Sequence, residues 1–302
     1  PSRVYLCSSV TALDFMITLE LTSKEREDSA LSATTLDCAE KAIREDGFVV
    51  LRDVVSHEHL DALWDKMLED IATILALPEP PHQFVYGNVQ QDPPPLPPYI
   101  FQDVIENPWV NQISRRVLGE GAYNHAYSGN TNIPGSQLQP VHVDNGDLWP
   151  GMTSPQPAQH LVVNIPLKDV TEENGSIELW PGSHLLMSNV QGEDIKVDPD
   201  TLAARKETVP PIRGNTERGS VLIRDMRAWH RGTPNETDDP RFMIALVHSA
   251  FFMRHTRQPA FSQDACAALA EMNPLTDFRS TDDLTHYLTR HKSYDYPTQG
   301  II

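Results

Sequence analysis

The run QLQPVHVD, Gln137 to Asp144, reads as an extended segment that stops at the turn-forming pair Asn145-Gly146. Residues two apart on such a segment project to one face, so His142 and Asp144 point together into whatever that face encloses. Similar β-type runs surround it. YNHAYSGNTNI precedes it, and HLVVNIPL, SIELW, SVLIRD and RFMIALVHSAFF follow, each bounded by turn residues. Strands therefore dominate from Gly121 onward.

Upstream the periodicity is helical. Ser56 opens a stripe of Leu60, Leu63, Trp64, Met67, Leu68 and Ile71 at i, i+3, i+4 spacing. Thr35 reads as the N-cap of a helix that ends at Gly47, with the strand FVVLRDVV after it. Asn107, Pro108 and Gly119 stand in cap, first-turn and C-cap order around a third helix. Helices followed by short strands predict an α+β chain: an antiparallel barrel or sandwich with the helices of the N-terminal third packed on one side. The expected division is an N-terminal extension over 1–34 and one domain over 35–302, with the strand-built core at about 121–252 and a peripheral helical tail over 260–302. Pro78 to Pro98, rich in proline that disfavours ladders and helices, is expected to be a surface loop of the kind that serves as a lid.

Bulk properties narrow the class. The 302 residues carry 39% hydrophobic and 22% charged side chains, as globular enzymes do. A net charge of -18 repels nucleic acid and anionic lipid, and no apolar run reaches the length of about 20 residues that spans a bilayer. Cys7, Cys38 and Cys266 are odd in number and lack CxxC spacing, which argues against a disulfide framework and fits a reducing, cytoplasmic setting.

One imidazole and one carboxylate suit a divalent transition metal but leave its site incomplete. His230, after a strand-like run and before the turn Gly232-Thr233-Pro234-Asn235, is a candidate third ligand; a packed turn histidine is the competing reading. Arg241 opens the last strong strand, where its guanidinium fork could hold a carboxylate bidentately or simply form a salt bridge at a strand end.

QPVHVD, ENGSIELWPGSH and WHRGTPN followed by Arg241, in this order and with these gaps, resemble the phytanoyl-CoA dioxygenase family of Fe(II)- and 2-oxoglutarate-dependent oxygenases. The resemblance runs from about Thr35 to Phe252, since AIREDGFVVLRDVVS also looks like that family's first helix and strand. It implies a double-stranded β-helix, the jelly-roll or cupin-like barrel, with His142, Asp144 and His230 as a facial triad around Fe(II). It also implies that 2-oxoglutarate chelates the iron beside O2, with Arg241 on the far carboxylate and Gln139 as a second contact. No side chain need act as general acid or base. Some members carry a threonine after the ENG turn that reaches the cosubstrate; here the matching positions are Ser176, Ile177 and Glu178, a departure from that pattern. Halide-transferring relatives replace the carboxylate by a small residue, so Asp144 points to hydroxylation or another C–H oxidation, with succinate and CO2 released.

The expected substrate is a small organic molecule such as a natural-product intermediate, because no basic stripe receives a CoA thioester. Phe84, Tyr86, Asn145 and Trp149 are candidate substrate contacts. A homodimer is expected by analogy alone. Two other readings stay open at this stage: a non-catalytic metal-binding barrel, and a hydrolase or isomerase that uses the same ligands without 2-oxoglutarate.

Overall fold

Alternating burial along the strands determines the architecture. In the computed structural model, which describes residues 10–13, 16–149, 151–186, 195–253, 255 and 257–293, strands β1 (Val10–Leu13), β2 (Met16–Glu20) and β3 (Phe48–Arg52) come first, with helices α1 (Ser23–Glu27) and α2 (Ala33–Glu45) between β2 and β3. Helix α3 (His57–Leu75) leads to β4 (Asn88–Gln90), then to α4 (Gln102–Ile105), α5 (Pro108–Leu118) and the long β5 (Tyr123–Asn132). Next come β6 (His160–Pro166), β7 (Glu178–Leu179), α6 (Pro199–Thr208), β8 (Ile212–Arg213), β9 (Val221–Asp225), β10 (His230–Arg231) and β11 (Arg241–Ser249). The short parallel pair β12 (Ala260–Phe261) and β13 (Arg279–Ser280) brackets α7 (Gln263–Glu271), and α8 (His286–Thr289) follows.

The main sheet has the order β1-β2-β3-β9-β6-β11-β5-β4 and is open, with β1 and β4 as its edges. It is mixed, because β2 and β3 run parallel while the other pairs are antiparallel. A three-stranded sheet, β10-β7-β8, lies across its second face, where Leu179 packs on Phe48, Val50 and Leu222.

The two faces of the main sheet differ in chemistry. Leu161, Val163 and Ile165 of β6, with Val221, Ile223, Ile244 and Leu246 of its neighbours, bury against Leu60, Leu63 and Met67 of α3 and Val110 and Ile113 of α5. Each such side chain contributes roughly 1.5–3 kcal/mol through its burial, which is why the stripe on α3 fixes the helical layer. The intervening positions Val162, Asn164, Leu222, Arg224, Arg241 and Met243 line a cavity on the opposite face.

Local signals hold in several places. Asn107 accepts from the N–H groups of Trp109 and Val110, Pro108 stands in the first turn, and Gly119 closes α5 at φ 89. His248, by parity opposite Arg241, lies in the helical layer and bonds the hydroxyl of Ser114.

Elsewhere the expectations need correction. The fold begins before Thr34: Met16–Glu20 pairs in parallel with β3, and Glu25 completes the capping box that Thr22 opens on α1 while accepting from Thr35. Ser32, not Thr35, caps α2. The proline-rich stretch contains β4, which pairs with β5 on one side and, through the His82–Val89 bridge, with the preceding residues 81–83 on the other. QLQPVHVD forms no ladder strand; isolated bridges at His142 and single backbone bonds at Gln139, Val141, Val143 and Asp144 hold it in place. The tail is not wholly peripheral, because Tyr287 is buried and donates to Asp70, and Arg290 and His291 both pair with buried Asp92. Cys266 is free, whereas Cys38 is disulfide-bonded, contrary to the reading of no disulfide.

Candidate functional site

His142 and His230 face each other across one antiparallel bridge, the N–H of each donating to the carbonyl of the other at 2.9 and 3.0 Å. This pair of backbone bonds sets the two rings side by side, with centroids 4.3 Å apart. Each Nδ1 lies 2.9 Å from a main-chain carbonyl, that of Pro140 for His142 and that of Ala228 for His230. An Nδ1–H donated there leaves the Nε2 lone pair for a cation and fixes the ring's orientation, the usual arrangement behind a metal-binding histidine.

Asp144 joins them two residues beyond His142. Its N–H donates to the Met226 carbonyl at 3.0 Å, and its Oδ1 stands 3.5 Å from Nε2 of His230 and 3.9 Å from Nε2 of His142. One ligand atom from each of the three residues lies within 4.8 Å of the other two. Two imidazoles and a carboxylate on one side of a point form the donor set of a non-haem Fe(II) centre with open positions.

The electrostatics favour a cation. Burial pushes the His142 imidazole down to about 3, with His230 adding to the effect, so the ring is neutral at physiological pH. Burial opposes ionisation of Asp144, but the Arg224 guanidinium, 2.6 Å from Oδ2, and His230 hold its carboxyl well below the usual range. Arg224 thereby orients the carboxylate, leaving Oδ1 toward the histidines. Residue pattern alone did not single out Arg224, although a charged side chain inside the apolar run VLIRD was the available signal.

Arg241 lines the same cavity, which has a volume of about 250 Å³. It is only 9% exposed, and no carboxylate pairs with it among the described residues. Its Nε has no hydrogen-bond partner there, and burial lowers its pKa to about 10. A buried guanidinium left without a counterion is costly, so an anion entering the cavity would be favoured beside it. This orphaned group fits a dicarboxylate that also chelates the metal.

Gln139 lines the cavity too, but its amide oxygen accepts from the Gly232 N–H at 2.7 Å, so it also braces the turn after His230. A Cβ on Gly232 would lie 2.7 Å from that oxygen and 2.6 Å from Nδ2 of Asn88, so a larger residue there displaces both amides. Ile177 lines the cavity wall, while Ser176 accepts from Arg213 and Glu178 pairs with Arg231.

The four candidate substrate contacts are scattered. Phe84 packs on the His142 ring at 4.5 Å between centroids. Tyr86, 54% exposed, and Trp149, 63% exposed, do not line the cavity, nor does Asn145. Asn88 and Asn164 line it and escaped the sequence reading. Asn164 lies in the otherwise apolar HLVVNIP, and that interruption was the usable clue.

The donor set suits a mononuclear metal centre beside an anion-binding guanidinium, and comparison with known proteins gives the class, a dioxygenase. The profile of the phytanoyl-CoA dioxygenase (PhyH) family matches residues 43–243, and the chain belongs to that family. Ectoine dioxygenase of Bordetella bronchiseptica is 26% identical over 259 residues, covering 76% of this chain and 78% of its own. Dioxygenase FUM3 of Gibberella moniliformis is 25% identical over 239 residues, 74% of each chain. Dioxygenase andF of Emericella variicolor is 27% identical over 160 residues, so the chain spans half the length of that relative. Among solved structures, AviO1 from Streptomyces viridochromogenes Tue57 superposes with a TM-score of 0.53 at 20% identity, over 74% of this chain and 96% of the other. No helix among the described residues is long and apolar enough to cross a membrane.

Proposed function

We propose that the chain oxidises a C–H bond of a small organic substrate, with 2-oxoglutarate converted to succinate and CO2. The observation that carries this reading is a three-donor cluster sharing one cavity with a buried guanidinium that lacks a counterion. In it, His142, Asp144 and His230 hold Fe(II), and the two facing sheets are the halves of a double-stranded β-helix within a single oxygenase domain. Bound iron supplies a centre at which 2-oxoglutarate and O2 react together.

The chain's own residues position and insulate. Arg241 takes the distal carboxylate by a charge-assisted fork, and Gln139 offers its amide N–H groups beside it. Arg224 keeps Asp144 ionised and aimed, while Phe84 covers the His142 ring from the proline-rich segment. Asn88 and Asn164 present amides to the cavity, so its wall suits a substrate or cosubstrate with polar groups. The fungal dioxygenases among the relatives support a natural-product intermediate as substrate, and the net charge of -18 disfavours a CoA thioester.

Anaerobic titration of the metal-free protein with Fe(II) and then 2-oxoglutarate tests this reading without a known substrate. A visible charge-transfer band that requires both additions is expected. Absence of the band, with no succinate formed on admitting air, sinks the proposal; turnover of a substrate under anaerobic conditions would point instead to a hydrolase or isomerase.

A further inference from the structure

A second group of imidazoles lies outside the proposed catalytic centre. His125 sits where the β5–β11 pairing shifts register between Leu246 and His248, His160 opens β6, and His255 follows β11. One ring nitrogen from each lies within 4.8 Å of the other two. None of the three lines the cavity that holds His142, Asp144, His230 and Arg241.

Two of the three rings keep a buried nitrogen free for a ligand bond among the described residues. Nε2 of His125 and Nε2 of His255 are buried and have no partner among the described residues. His160 rests its Nδ1 on the Ser249 hydroxyl at 2.7 Å, which orients the ring and leaves Nε2 for another bond. The loop is pinned as well: the Tyr123 hydroxyl accepts from the His255 N–H at 3.2 Å and donates to the Met253 carbonyl. Rings of His125 and His255 stack at 3.9 Å between centroids, so two bases that each need a donor or a cation are held together without one.

We infer that His125, His160 and His255 bind one divalent d-block cation, with Zn(II) the best fit, as three neutral nitrogen ligands with a fourth position open. Imidazoles suit that ion, and Zn–N bonds of about 2.0–2.1 Å require one of the two stacked rings, whose planes lie 15° apart, to turn out of the stack so that its lone pair converges on the cation. The absence of a carboxylate among the three separates this site from the iron centre, which has one. A cation here ties the segment after β11 to the ends of β5 and β6, in place of backbone pairing where the register shifts. The inference does not depend on the iron chemistry.

The test is metal analysis of the chelator-stripped full chain after dialysis against Zn(II). Two equivalents per chain are expected for wild type, one for His255→Ala and one for His230→Ala. His255 is preferred because its loop position spares the sheet; His160→Ala removes a buried bond to Ser249 and risks the fold. Absorption spectroscopy at the zinc edge on His230→Ala is expected to show three imidazole scatterers. Equal zinc in wild type and His255→Ala, or two or fewer imidazoles in that spectrum, overturns the inference. If the Fe(II)/2-oxoglutarate band still forms in that case, only the second site falls and the proposed oxygenase stands.

Discussion

The two faces of one sheet perform opposite tasks with neighbouring residues. On β6, Leu161, Val163 and Ile165 disappear into the helical layer, while Asn164, between two of them, opens onto the cavity. On β9, Val221 and Ile223 do the former and Arg224 the latter. A substitution's consequence therefore depends on its parity along the strand: one face packs the fold, the other lines the cavity in which metal and acid are proposed to bind.

The sharpest break is His230→Ala. Removing a metal ligand should lower Fe(II) affinity by more than about 100-fold, beyond the 10- to 100-fold typical of residues that only support a ligand, and abolish succinate formation. Circular dichroism should be unchanged. If activity survives, the cavity face has been misassigned.

Next is Arg241→Ala. Losing one partner of a buried charge pair costs roughly 2–5 kcal/mol, so 2-oxoglutarate should bind about 30- to 5,000-fold more weakly while Fe(II) affinity stays put, measured by anaerobic calorimetry. The opposite face gives the mirror result. Leu63→Ala should destabilise by about 2–5 kcal/mol in urea unfolding with no change in metal affinity. Equal loss of stability and of metal binding in either variant would dissolve the distinction between faces.

Smaller effects sharpen it. Arg224→Gln frees Asp144 from its 2.6 Å partner and should weaken Fe(II) about 10- to 100-fold, leaving 2-oxoglutarate affinity of the loaded protein nearly intact. Glu25 is remote from both. Burial opposes its ionisation, yet bonds from Thr35, Ser32 and Thr22 lower its pKa from 4.5 to about 2. The stabilisation it contributes is therefore full above about pH 4.5 and fades as pH falls toward 2. Glu25→Gln should cost about 1–2 kcal/mol at neutral pH, and the difference from wild type should shrink in acid.

Much of this was legible beforehand because it is local or periodic. The stripe on α3 and the Asn107-Pro108 start of α5 need only a few neighbouring residues to read. His142, Asp144 and His230 were legible through spacing and resemblance, and the fold brings their donor atoms together. What escaped depends on partners distant in sequence. The pairing of Met16–Glu20 with β3 is decided by a strand about 30 residues away, and Arg224 acquires meaning only when β9 passes beneath Asp144. His125, His160 and His255 each read singly as unremarkable polar residues, because nothing in their spacing announces the register shift that gathers them.

The reciprocal main-chain bonds between His142 and His230 carry a practical consequence for redesign. Since peptide groups set the gap between those imidazoles, side chains elsewhere on the cavity wall can be exchanged with the donor spacing held constant. Recasting Asn88 or Asn164, which line the wall without touching that bridge, is the economical way to alter what the cavity accepts.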